Sequence, residues 1–164
     1  MPAPAHIPPD LVAMMARGVS AIVASRDSAN LPSLMRAMGS AVTDEGRSIT
    51  VYVSRRQAGQ LIADIAFSGH VAVVFSEPAT HRTVQVKATQ ATLRDATAQD
   101  ETVLTAYLRS MEHELALVRI APQLTRAMLA HRLEDVVAIQ FTPEQAFDQT
   151  PGPKAGARLA GSKP

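Results

Sequence analysis

Apolar and polar positions divide this chain into short runs bounded by turn residues, most of them strand-sized. Residues 71–75 (VAVVF) are wholly apolar, the pattern of a strand covered on both faces. From Arg82 the pattern alternates, with Val84, Val86 and Ala88 on one side and Thr83, Gln85 and Lys87 on the other. The span 69–95 therefore predicts two strands joined by a polar connection that carries Pro78. Its second strand opens with a guanidinium, a hydroxyl and a carboxamide, a donor-rich lip suited to a phosphate or a polar ring edge. Upstream, residues 18–25 (GVSAIVAS) predict a strand, and 26–32 a turn punctuated by Asp27, Asn30 and Pro32. Residues 34–42 predict a further strand, returning through Asp44, Glu45 and Gly46 to 48–54 as a hairpin.

Helical spacing occurs in four places. Residues 10–17 follow a Pro-Pro pair and carry Leu11, Val12, Met14 and Met15, which predicts a short helix. Residues 57–67 group Leu61, Ile62, Ile65 and Ala66 at a period near 3.6. Thr97 is expected to start a longer helix, with Asp100 three residues on in the manner of a capping box. Val103, Leu104, Tyr107, Leu108, Met111 and Leu115 form its apolar stripe. Pro122 suits the first turn of another helix, running to about His131. Residues 134–141 predict a last strand, and Thr142-Pro143 the start of a helical turn. The expected organisation is one domain over 1–149 and an extended or flexible tail over 150–164. Hairpins dominate this order, so the expectation is a mainly β fold: a small antiparallel barrel with peripheral helices.

Composition narrows the function classes. The 164 residues, 46% of them apolar, are enough to bury about 68–70% of the unfolded surface as one domain. There is no cysteine, which removes disulfides, thiolate metal sites and cysteine nucleophiles and fits a reducing cytoplasm, the expected location. The first nine residues hold four prolines and no cationic segment leading into an apolar run, so no signal peptide is expected. No run approaches the roughly 20 apolar residues of a membrane span. A net charge of +1 gives no general grip on nucleic acid. No glycine-rich dinucleotide or nucleoside triphosphate loop is present. His113 lies in MEHEL, which lacks the second histidine of a zinc helix, and no metal site is expected from the five histidines. Glu112 and Glu114 are expected on a helix surface, and Met14, Met15, Met35 and Met38 in the core. Arginine supplies 13 of the 16 basic residues, a bias that fits either phosphate binding or composition alone.

Three segments share a pattern with one family. Residues 32–44 (PSLMRAMGSAVTD), 52–58 (YVSRRQA) and 81–86 (HRTVQV), in this order and spacing, resemble the split-barrel superfamily typified by pyridoxamine 5′-phosphate oxidase. A fourth stretch, 146–156 (AFDQTPGPKAG), resembles the ending of a bacterial subgroup of it, so the resemblance spans most of 9–156. It implies an antiparallel split β-barrel that binds flavin mononucleotide (FMN) at the interface of a homodimer. Arg36, Ser54, Arg55 and Arg56 would then hold the phosphate, and Arg82 and Thr83 would lie along the cofactor. Several donors converging near a helix N-terminus are what a phosphate dianion needs. An arginine within a strand otherwise lined by Leu34, Met35 and Met38 also needs a partner, the alternatives being an outward-facing side chain or a structural salt bridge. An Arg-Arg pair in a turn is otherwise a solvated surface feature.

The chain departs from the family pattern at Ala41, where a phosphate-binding lysine is usual, at Thr83 in place of glutamine, and at Ala88 in place of glycine. The oxidase's arginine-containing substrate motif at the C-terminus is also unrecognisable here. The implied activity is an FMN-dependent oxidoreductase acting on an unspecified small molecule, with no residue assigned as acid or base. The alternative is a carrier or sensor, flavin-binding or cofactor-free, that does not turn over. A haem-handling relative would draw an axial histidine from a C-terminal extension, and no histidine follows His131.

Overall fold

In the computed structural model, residues 3–159 are described. Helix α1 (Pro9–Ala16) begins with proline in its first turn, where a missing N–H costs nothing, and buries Leu11, Met14 and Met15. Strand β1 (Ser20–Arg26) buries every second residue. The turn after it is built by Asp27, whose carboxylate accepts from the N–H groups of Ala29 (2.8 Å) and Leu31 (2.9 Å). The predicted single strand over 34–42 is in fact two, β2 (Pro32–Arg36) and β3 (Gly39–Thr43). Between them the backbone changes partners: Ala37 N–H donates to Ala21 at 2.9 Å, and Met38 N–H donates to Tyr52 at 2.7 Å. Strand β4 (Ser48–Ser54) completes the expected hairpin with β3.

Helix α2 (Gly59–Ser68) ends at Gly69, whose φ of +69° is the left-handed cap conformation open to glycine. The 69–95 span holds three strands rather than two: β5 (Val71–Ser76), β6 (Thr83–Ala88) and β7 (Thr92–Asp95). Helix α3 (Asp100–Leu117) starts three residues later than Thr97, and helix α4 (Pro122–Met128) carries its proline at the first turn as expected. Strand β8 (Val136–Phe141) is followed by β9 (Gln145–Asp148) where a helical turn was expected. β9 forms because β6 offers it an edge, with Val86 opposite Ala146 and Gln85 opposite Phe147.

The strands form two antiparallel sheets, β2-β1-β5-β6-β9 and β3-β4-β8-β7. The chain joins them at the β2–β3 switch. Ala21, Val23, Val51, Val53, Val73, Phe75, Val84, Val86 and Ile139 are buried in one cluster between the sheets. Met14 and Met15 of α1 and Leu61 and Ile65 of α2 belong to the same cluster, and Met38 is also buried. Residues 150–159 fold back along β9: Asp148 N–H donates to Ala157 (2.9 Å), and Leu159 N–H donates to Ala146 (2.9 Å). Among the described residues, no helix is long and apolar enough to cross a membrane.

Candidate functional site

Antiparallel pairing decides which side chains meet. β1 and β6 start, and β2, β4, β5 and β7 end, at the same end of the two sheets. Arg36 lies at the end of β2, Ser54 at the end of β4 with Arg55 and Arg56 just beyond, and Thr83 at the start of β6 with Arg82 just before it. Arg36, Arg82 and Thr83 therefore share one end of the five-stranded sheet, and Ser54, Arg55 and Arg56 one end of the four-stranded sheet; the β2–β3 switch links these two ends, here called the rim.

The rim has two parts. On the five-stranded sheet, Thr83 Oγ1 lies 2.9 Å from Ser76 Oγ, Ser76 stands opposite Ser20, and Ser20 Oγ accepts from Arg36 Nη1 at 3.3 Å. Three hydroxyls and one guanidinium thus cross four strands. Thr83 is further fixed from the returning C-terminal segment: its N–H donates to Thr150 Oγ1 at 3.0 Å, and its carbonyl accepts from Gln149 N–H at 2.9 Å. Arg82 is drawn off to α1, where its guanidinium pairs with Asp10 and holds that carboxyl below its usual range.

On the four-stranded sheet, the turn after β4 closes on Asp135, at the start of β8. Ser54 Oγ donates to Asp135 Oδ2 at 2.6 Å, and Arg56 N–H donates to Asp135 Oδ1 at 3.1 Å. Arg55 N–H donates to the Asp135 carbonyl at 2.7 Å, and the Arg55 guanidinium pairs with Asp95 at the end of β7. Ser54 is buried, whereas Arg36, Arg55 and Arg56 are exposed. Among the described residues, no carboxylate pairs with the guanidinium of Arg36 or Arg56. No described hydrogen bond joins the two parts of the rim. The chain passes from one part to the other through the β2–β3 switch.

A buried ionic group braces this end of the four-stranded sheet. Asp100, at the start of α3, accepts from Tyr52 Oη at 2.7 Å and from both terminal nitrogens of Arg94 at 2.7 and 2.8 Å. Thr97 N–H donates to the same carboxylate at 2.7 Å, as in a capping box, but the Thr97 hydroxyl also donates to it rather than accepting from the Asp100 N–H, which goes to the Thr97 carbonyl at 2.9 Å. Arg94 holds the Asp100 carboxyl well below the usual carboxylate range. Burial, with the Asp100 charge beside it, pushes the Tyr52 hydroxyl up to about 12. Tyr52 is two residues from Ser54 on the same side of β4, so the group fixes the strand from which the rim turn springs.

Chemically, the rim offers positive charge, hydroxyls and main-chain N–H groups, a donor set that fits a phosphate. Asp135 and Asp95, which share it, were not singled out in the sequence. A carboxylate before an apolar run reads only as a strand boundary. Glu114, expected on a surface, is buried and accepts from Arg17 Nε at 3.2 Å. Away from the rim, the outer side of the five-stranded sheet bears a groove of about 450 Å³ among Ala24, Arg26, His70, Ala72 and Lys87.

No family model matches the sequence, and no curated protein matches it. Solved structures do share the fold. A candidate pyridoxamine 5′-phosphate oxidase of Lactobacillus delbrueckii aligns with a TM-score of 0.56 at 15% identity, covering 87% of this chain and 93% of its own. HupZ of Group A Streptococcus aligns with a TM-score of 0.55 at 16% identity, covering 92% and 99%. An F420 reductase aligns with a TM-score of 0.52 at 16% identity, covering 82% and 93%. Two antiparallel sheets joined at the β2–β3 switch, with helices at the periphery, give this chain the split-barrel fold of the pyridoxamine 5′-phosphate oxidase-like proteins.

Proposed function

We propose that the chain binds FMN at the rim and acts as an FMN-dependent oxidoreductase on a small-molecule substrate, as a homodimer with the cofactor at the subunit interface. The reading is supported by the positions of Arg36 at the end of β2 and of Ser54, Arg55 and Arg56 at and just beyond the end of β4, on a split-barrel fold. The exposed guanidinia of Arg36 and Arg56 supply charge to a phosphate dianion, and Ser54 Oγ and the Arg56 N–H supply directed donors. Arg82 and Thr83 line the far side of the rim. A bound isoalloxazine would supply the hydride or electron transfer, and the protein its grip and orientation. The outer side of the five-stranded sheet, with Ile22, Val74, Gln85 and Phe147 in register and Leu34 opposite Ala24, is the surface we assign to the second copy. Helix α2 packs on its opposite side, where Ser33 donates to Asp64.

One observation favours a second reading, a flavin carrier or a cofactor-free barrel without turnover. Asp135, Asp95 and Asp10 already engage the Ser54, Arg55 and Arg82 donors.

The deciding experiment is an absorbance spectrum of the purified protein before and after FMN addition and desalting. A retained flavin band is the expected outcome, lost in the Arg36→Ala/Arg56→Ala double variant while its mass and circular dichroism are kept. A native protein that stays colourless favours the second reading. Unchanged FMN affinity in the double variant removes the phosphate assignment.

A further inference from the structure

We propose that Asp135 is the specificity residue of the rim, its carboxylate competing with a ligand phosphate for the Ser54 hydroxyl and the Arg56 N–H. The inference rests on the flavin reading above and concerns how tightly that site holds the phosphate.

The geometry is that of an internal anion. Each carboxylate oxygen takes one donor, Oδ2 from Ser54 and Oδ1 from Arg56, and these are two of the donors assigned to the phosphate. The backbone pins the residue there: its carbonyl accepts from Arg55 N–H at 2.7 Å, and its own N–H donates to Arg132 at 2.9 Å. Both donors are neutral, and none of the described ion pairs involves Asp135. The two guanidinia without a carboxylate therefore still attract a phosphate, while the carboxylate repels it and occupies the hydroxyl and amide it would use. A phosphorylated flavin at this rim gains less from its phosphate than the donor count suggests. Riboflavin, which has no phosphate, is bound without meeting this competition.

The test compares the native protein with Asp135→Asn, which removes the charge and keeps the shape, by titrating each with FMN and with riboflavin. FMN should bind Asp135→Asn about tenfold tighter or more, with riboflavin affinity unchanged. Equal FMN affinity in the two proteins overturns the inference and leaves the flavin reading standing. Equal gains for FMN and riboflavin also overturn it, because a looser rim rather than a freed phosphate site would explain them. Absence of flavin binding in both proteins ends the flavin reading, and inorganic phosphate then decides the role of Asp135. A larger rise in melting temperature with phosphate in Asp135→Asn supports it, and the same response in both overturns it. Asp135→Ser is read in the same way should the asparagine variant not fold. Failure of both variants to fold overturns the inference, since the carboxylate would then be structural.

Discussion

Asp100, the first residue of α3, ties together three elements through one carboxylate, with Tyr52 from β4, Arg94 from β7 and Thr97 from the segment leading into its own helix. Removing its charge leaves a guanidinium and a phenol facing a group that can no longer satisfy both. We expect Asp100→Asn to lose about 2–4 kcal/mol in urea unfolding at pH 7, less than a fully buried pair because Arg94 reaches solvent. The sign with pH follows from the lowered folded-state value. The carboxylate's contribution is present above the unfolded value of about 3.9 and is lost as pH falls through the folded one. The stability gap between native and Asp100→Asn should therefore be constant near neutrality and narrow below about pH 4. A gap independent of pH down to about 3 would remove the electrostatic account. At this scale Arg55 and Arg56 were legible as a turn pair following an apolar strand, whereas Arg36, read inside a strand, closes β2 and is exposed. Asp135 and Glu114 were not readable, because the donors they engage lie about 80 and 97 positions away.

Helix α2 stops where it does because Gly69 can turn left-handed and let the chain enter β5. A Cβ at Gly69 would lie 2.6 Å from the carbonyl oxygen of Thr89, which is backbone and cannot swing aside. The same peptide is tied down by Ala91 N–H donating to Gly69 O at 2.9 Å. Gly69→Ala should thus cost about 1–3 kcal/mol, read as a lower thermal midpoint, with the far-ultraviolet spectrum retained. An unchanged midpoint would mean that the β6–β7 turn moves freely. Elements with six or more alternating or apolar residues, β1, β4, β5, β6 and β8, were legible from their pattern. β7 and β9, four residues each, were not: a strand that short is specified by its partner's edge rather than by its own period. The break at Ala37 and Met38 was hidden because the chain stays apolar while its hydrogen-bond partners change from β1 to β4.

For the whole molecule, the sheet face left without a helix sets the expected assembly. Leu34 is 64% exposed on it, in register with Ala24 and Ala72. Light scattering should give the native chain twice its 17.5 kDa, and Leu34→Arg a single copy with weakened FMN retention. A native monomer would remove the dimer from the proposal. The barrel class was legible in the sequence from the succession of hairpins, but the pairing order was not, because periodicity within a strand carries no information about its neighbour. The return of residues 150–159 along β9 has a bearing on the protein in concentrated solution. β9 is the terminal strand of its sheet, and its outward N–H and C=O groups would offer a template to any extended chain. The hydrogen bonds from Asp148 and Leu159 use that edge within the same molecule, so growth of the sheet from copy to copy is blocked on this side.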